Sequence, residues 1–383
     1  IEAAQYVNLP NTGPEFHCSY FSLFWPENAA RVSLSEQAYL DWLDGALTTA
    51  ICRLIQVAGG RTILLPLSGG YDSRAIAIYL KKSGYPNIQC FTFGKADSFE
   101  VQTAVMVAAA LGFKIHQVTY QISDLTRLAN CSHFGRYKQQ IHNLVSVPNV
   151  QVYPALQNLL AQGVIDKDVL VVPGHTGDFV SGGHIPTLKA DATLTDTVEG
   201  IFKRHYDLNR KPLSFALRQK LNAQVSAMWS VGAGENRALS CAEAWNYRER
   251  QAKFIVNSNR YYDFWQLDWW MPLWDWQFVE VWQRIPLPLR RNKKLWINFV
   301  NQHYTDVTGS VLPKVESAKI SAIAAFGRRY LPYFYDQNHL YRLLPLSWWL
   351  KARFKLSAAA PSVFTYLTER QIEQVEQIMS QRR

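Results

Sequence analysis

Residues 62–83 read TILLPLSGGYDSRAIAIYLKKS: an apolar run, a Ser/Gly turn, then a run with its apolar residues at helical spacing. The first part, 62–67, has the length and content of a buried strand, and 72–83 has the pattern of a helix. The turn between them holds Ser68, Gly69, Gly70, Tyr71, Asp72 and Ser73. Gly69 and Gly70 can take positive φ and let a ligand come close to the backbone. N–H groups at the start of a helix have no partner within it and carry partial positive charge, so they suit phosphate oxygens. The hydroxyls of Ser68 and Ser73 add donors. A carboxylate at Asp72 repels bare phosphate, but makes sense if it holds a Mg2+ that bridges to phosphates. The alternative is an ordinary strand-to-helix turn, where a carboxylate is favoured in the first helical turn anyway. The chain has no G-x-x-x-x-G-K-S/T pattern, so the usual γ-phosphate-transferring loop is excluded.

Outward from this turn the same alternation continues. A helical pattern over 35–57 precedes it and ends at Gly59 and Gly60. Short apolar runs at 88–93, 115–119 and 169–172 read as further buried strands, with a helix over 98–111 ending at Gly112. The β-α-β-α-β order predicts an α/β fold, a parallel sheet sandwiched by helices. Ligands of such sheets bind where strands end and helices begin, and glycine-rich loops follow both Leu67 and Val172. Beyond residue 190 strand signals fade and helical patterns dominate. The expected organisation is an irregular lead-in over 1–35, an α/β domain over 36–190 and a mostly helical region over 191–383.

With 48% hydrophobic and 18% charged residues, the 383-residue chain can bury a large core, which excludes a mainly disordered protein. Its 40 Lys and Arg against 30 Asp and Glu give a formal charge of +10, suited to an anionic partner. The basic residues are scattered, so no nucleic-acid partner is expected. The most apolar stretch, 264–282, is interrupted by Asp268, Asp275 and Glu280, which excludes a membrane span there. The basic and aromatic stretch 328–355 has two readings, a weak membrane-surface contact or a helix packed on the domain. Cys18, Cys52, Cys90, Cys131 and Cys241 form no zinc spacing, and buried free thiols in the cytoplasm are expected.

The motif SGGYDS resembles the pyrophosphate loop of the N-type ATP pyrophosphatases, a Rossmann-like family that adenylates its substrates and releases pyrophosphate. Three further segments resemble the synthetase domain of asparagine synthetase: 98–118, GHTGDFVSGGH at 174–184, and QLDWWMPLWDWQFVEVWQRIP at 266–286. The resemblance implies ATP contacts from Leu67, Ser68, Gly69, Gly70, Asp72, Ser73, Phe93, Gly94 and Gly174. It implies Mg2+ ligation by Asp72 and Asp178, against a plain helix-capping role for Asp178. It also implies a lysine, Lys293 or Lys294, that stabilises charge during adenylation.

The acceptor side departs from the family pattern. His175 stands where the family has Glu or Tyr, and Asp268 where it has Glu. These two are candidates for a general base and its orienter, because imidazole titrates near neutral pH and a carboxylate fixes its tautomer. The plainer reading of His175 is a loop residue touching ATP. Phe179 and Trp270 replace charged residues, and Arg74 adds a cation. The resemblance thus implies an ATP-dependent, AMP-forming carbon–nitrogen ligase in which ammonia or an amine attacks an acyl-adenylate. A uronic acid in surface polysaccharide synthesis is one expected acceptor. Aspartate, a peptide or amino acid closing on itself, and a catalytically inactive nucleotide-binding scaffold are the alternatives. The chain begins Ile1-Glu2-Ala3 rather than with the family's catalytic N-terminal Cys, so ammonia is expected from solution, a separate glutaminase chain or a domain outside this sequence.

Overall fold

In the computed structural model, which describes residues 5–8, 16–19, 34–120, 128, 131–141, 151–186, 188, 191–206, 215–231 and 237–311, the apolar runs become paired strands. The lead-in, expected to be irregular, contains an antiparallel pair, β1 (Gln5–Asn8) with β2 (Phe16–Ser19). Helix α1 (Glu36–Ala58) follows. The main sheet is built from β3 (Ile63–Pro66), β4 (Ile88–Gly94), β5 (Lys114–Thr119), β6 (Leu170–Val171) and β7 (Asp268–Trp269). Its order is β5-β4-β3-β6-β7 and every pairing is parallel. Parallel strands need crossovers, supplied here by α2 (Tyr71–Ser83) and α3 (Phe99–Leu111), then by α4 (Ser132–Ile141) and α5 (Tyr153–Ala161).

Because side chains alternate along a strand, each run must be apolar on both sides to be covered by helices on both. Leu64, Phe91, Val118 and Val171 face a cluster with Phe134, Tyr137, Tyr153, Leu156, Tyr261 and Tyr262. The intervening Ile63, Leu65 and Cys90 are equally buried and face the other side. The fold is the expected helix-flanked parallel sheet.

The chain divides into two units, each assembled from separate stretches. A sheet unit comprises Leu54–Gly174, Ser258–Trp270 and Val300–Arg383; a helical unit comprises Ile1–Arg53, His175–Asn257 and Met271–Phe299. The stretches of the two units therefore alternate along the chain. The physical reason is β7, which returns late in sequence to pair with β6 and extends that pairing through the Trp270 N–H to the Val171 carbonyl at 2.9 Å.

The helical unit carries α6 (Gly177–Val180), α7 (Leu194–His205), α8 (Phe215–Val231) and α9 (Arg237–Trp245). A π-helix (Asn246–Val256) follows α9 directly. Thr193 and Asp196 form a capping box at the start of α7. Its apolar face, Val198, Ile201 and Phe202, packs with Leu221, Val225 and Met228 of α8 and Trp245 of α9. In the sheet unit a short α10 (Tyr261–Phe264) leads to β7. Next come α11 (Trp276–Arg284), α12 (Leu287–Arg290) and α13 (Lys294–Thr308). Asp275, one of the residues aligned with the family pattern, caps α11 and pairs with Arg53 at 2.7 Å, so its role is structural. Trp245, Trp282 and Trp296 are core residues, while Trp42, Trp270 and Trp276 are exposed.

Among the described residues no helix is long and apolar enough to cross a membrane, and the stretch 328–355 lies outside them. Cys90 and Cys241 are buried free thiols as expected, but Cys52 is exposed.

Arg290 and Glu243 form a buried ion pair at 2.6 Å, and the same guanidinium donates to the Val180 carbonyl at 3.0 and 3.2 Å. Removing one partner strands a buried charge. Arg290→Met is expected to lower the unfolding free energy by about 3–5 kcal/mol, read from denaturant midpoints, with Arg290→Met/Glu243→Leu recovering most of the loss.

Candidate functional site

Two groups of residues carry the chemistry, one in each unit. In the sheet unit, β3 and β6 are neighbours from which the chain departs in opposite directions, β4 and β5 lying on one side and β7 on the other. A crevice opens at the carboxyl ends of such a pair. The turn 68–73 leaves β3 there. Leu67 is still held to the sheet, its N–H donating to the Phe91 carbonyl at 2.8 Å. Gly70 is the N-cap of the 13-residue α2 and brings no side chain of its own to cap it, so the start of the helix lies at this end of β3. At the end of the adjacent β4, Phe93 stacks between Phe91 and Tyr120 at 6.2 and 5.6 Å, and Gly94 turns with φ 136°.

The exit from β6 closes against this turn. A Cβ built on Gly174 would lie 2.8 Å from the Ser73 N and 3.1 Å from its Cα, so only glycine lets the two loops meet. The fold therefore places Leu67, Ser68, Gly69, Gly70, Asp72, Ser73, Phe93, Gly94 and Gly174 at one edge of one sheet.

Several expectations change on this side. Neither Gly69 nor Gly70 has positive φ: Gly70 sits at −77°, and Gly69 is needed because α3 passes close, with Glu100 Cα 3.1 Å from the position of a Cβ. The Ser73 hydroxyl is buried and accepts from the Ser68 N–H at 3.2 Å, while Ser68 Oγ accepts from the Gly70 N–H at 3.1 Å. These hydroxyls shape the turn. Arg74 is fully buried, donates to the Gly69 carbonyl and lies over the Tyr71 ring at 5.3 Å. It braces the turn from below, and burial lowers its pKa.

Asp268, the candidate orienter, lies on β7. It pairs in register with Leu170, itself opposite Ile63, the first residue of β3. That is the amino-terminal edge of the sheet. There its exposed carboxylate takes Arg61 at 2.7 Å. Pattern matching could not see this, because Arg61 and Asp268 are 207 residues apart.

In the helical unit His175 is half-buried and precedes Thr176, a β-branched residue at φ 83°. Such a conformation costs energy and survives only where the surroundings impose it. Asp178 follows on α6, exposed, and its Oδ1 accepts from Lys293 Nζ at 2.5 Å. Gly183 makes room for that lysine: a Cβ there would lie 3.1 Å from Lys293 Cδ. Lys294 points elsewhere, 3.6 Å from Glu36. The structure thus separates two neighbouring lysines that the sequence leaves equivalent. Phe179 is buried and packs on Trp274 and His184 with centroids 6.3 and 6.2 Å apart.

Sequence reasoning missed the residues around His184. Gln251 Nε2 donates to His184 Nδ1 at 3.3 Å and to Asn246 Oδ1 at 2.9 Å. Arg250 Nη1 lies 3.4 Å from the same Nδ1. No motif marks these positions, since they come together only when the π-helix packs beside the Gly182-Gly183 turn.

Burial, and then Arg250, push both His184 and His205 down from 6.5 to about 4. A folded-state pKa below the unfolded value means that unfolding takes up a proton between these limits. The stabilisation is present above pH 6.5 and is lost as pH falls towards 4. Melting temperatures measured across that window are expected to fall more steeply for the wild type than for the His184→Gln/His205→Gln variant.

Among curated proteins no match is found. Among solved structures, the U34-tRNA thiolase NcsA from Methanococcus maripaludis with its 4Fe-4S cluster is similar at 13% identity over 80% of this chain and 91% of that chain, with a TM-score of 0.26. So weak an overlay carries no argument about fold or chemistry. The asparagine synthase family matches residues 55–296, a span that contains the turn at 68–73, the Asp178 segment and Lys293, and the chain belongs to that family.

Proposed function

We propose that this protein is an AMP-forming amide ligase: ATP adenylates a substrate carboxylate, pyrophosphate leaves, and ammonia or an amine attacks the acyl-adenylate. Family membership implies ATP-dependent adenylation and amidation chemistry. The observation that supports the reading most directly is the start of α2 at the carboxyl end of β3, behind a glycine N-cap and against Gly174. Its N–H groups suit the phosphates of ATP.

Asp72 in the sheet unit and Asp178 in the helical unit are the carboxylates that the family resemblance assigns to Mg2+, and carboxylate oxygens suit such a hard cation. Mg2+ is commonly held in this way, by one or two carboxylates with phosphates and water completing its shell. When bound it would neutralise phosphate charge. Lys293 orients Asp178 and supplies a cation of its own, the role assigned in the family to one lysine. His175, next to the strained Thr176, is the candidate for taking a proton from the incoming nitrogen. We assign the acceptor as a uronic acid, with ammonia from solution or from a separate glutaminase chain; the replacement of charge by Phe179 and Trp270 supports an acceptor other than free aspartate.

Incubation with Mg·ATP, ammonium and candidate uronic acids is expected to yield AMP and pyrophosphate in equal amounts, dependent on the carboxylate. ADP as the product, or no turnover with any carboxylate, overturns the reading. Lys293→Ala is expected to lower kcat by about 100-fold or more, the scale for losing one preorganised donor. Lys294→Ala, which removes an exposed side chain, is expected to stay within roughly twofold.

A further inference from the structure

Near Asp178 the helical unit gathers four cationic or cationisable side chains from three elements. His184 follows α6, Arg204 and His205 end α7, and Arg250 lies on the π-helix. The groups feel one another: Arg250 is lowered by burial and then by Arg204, and each histidine is lowered by burial, Arg250 and Arg204. Like charges brought together at half-buried positions raise the energy of a fold, although Arg204 itself is exposed, and such a cost persists where something else compensates it. The C-terminal dipole of α7 offsets part of it for Arg204 and His205. Among the described residues, Asp178 is the carboxylate felt by both His184 and Arg250, and it already holds Lys293.

The arrangement is built rather than incidental. Asn246 and Gln251 are 2% and 1% exposed, and the i→i+5 spacing of the π-helix sets them on the same side, where they hydrogen-bond. Segments of this kind are uncommon and recur at functional sites. With donors from Gln251 and Arg250 facing its Nδ1, the His184 ring keeps its proton on Nε2 and presents that nitrogen as a donor.

We propose that Arg204, Arg250, His184 and His205 form a binding site for a phosphoryl dianion carried by the acceptor substrate, in addition to the carboxylate that is adenylated. The inference rests on the amide-ligase reading and names its substrate class: a phosphorylated acid, such as a sugar acid bearing a phosphate or diphosphate. Two guanidinium charges match a dianion, whereas a second carboxylate would leave one of them uncompensated. Donors arriving from three elements also surround a tetrahedral group better than a planar one.

Calorimetric titration of the full chain tests this without turnover, using inorganic phosphate, glucuronic acid 1-phosphate, glucuronic acid and α,β-methylene ATP as probes. Glucuronic acid 1-phosphate is expected to bind at least about tenfold tighter than glucuronic acid. Arg250→Gln and Arg204→Gln are each expected to weaken inorganic phosphate about tenfold, while α,β-methylene ATP stays within about twofold. Arg204 is exposed, so its variant keeps the test decisive if Arg250→Gln fails to fold. The imidazole NMR signals of His184 and His205 are expected to shift with added phosphate. The proposal is overturned if the wild type binds no phosphate, if both variants bind it as tightly, or if they weaken the ATP analogue equally, which would assign the cluster to ATP. Failure here leaves the AMP and pyrophosphate assay of the ligase reading untouched, and the reverse also holds.

Discussion

The close approach of Gly174 to Ser73 is the constraint on which the sheet unit depends. Backbone meets backbone there, with no space for a side chain. The contact joins the exits of β3 and β6, the two central strands at which the sheet changes direction. The geometry of the turn follows locally. Ser73 is held beneath the turn, its hydroxyl fixes Ser68, and α2 starts directly behind Gly70. A bulkier residue at 174 would push the strand exit away from α2 and disturb the turn without touching any residue of the SGGYDS motif.

Strain and buried charge organise the helical unit. Thr176, Asn292 and Lys293 have φ of 83°, 56° and 59°, and they flank the Asp178–Lys293 pair. Non-glycine residues hold such conformations only when their surroundings over-determine them. The buried Arg290 does this work, tying the segment before Lys293 to Val180, two residues after Asp178, while Glu243 balances its charge. The lysine and carboxylate that the family chemistry points to are thus positioned by an ion pair that no motif contains. Two glycines after Asp178 complete the arrangement, Gly182 pressed against the Arg290 carbonyl and Gly183 against Lys293.

Much of this was legible beforehand. The apolar runs gave four of the five sheet strands within one or two residues, because strands covered on both faces have no choice but to be apolar. The turn at 68–73 was legible because only a few residue types permit a helix to start so tightly after a strand. Less legible were the roles inside that turn. Glycines 69 and 70 suggested positive φ, yet Gly69 is required by the passage of α3, a contact with a helix that begins thirty residues later. Asp268 has Arg61 as its partner at the opposite edge of the sheet from the turn, a pairing that no spacing records.

By itself the sequence determined the local elements, the tight Ser/Gly turn and the family, since each rests on residues close together in the chain. Only the tertiary structure decided the sheet order, the late return of β7, the pairing of Lys293 rather than Lys294 with Asp178, and the gathering of His184, Arg204, His205 and Arg250. Those depend on which distant segments pack together and on how much water they exclude. Periodicity and spacing record neither, because burial and charge proximity are properties of the assembled core.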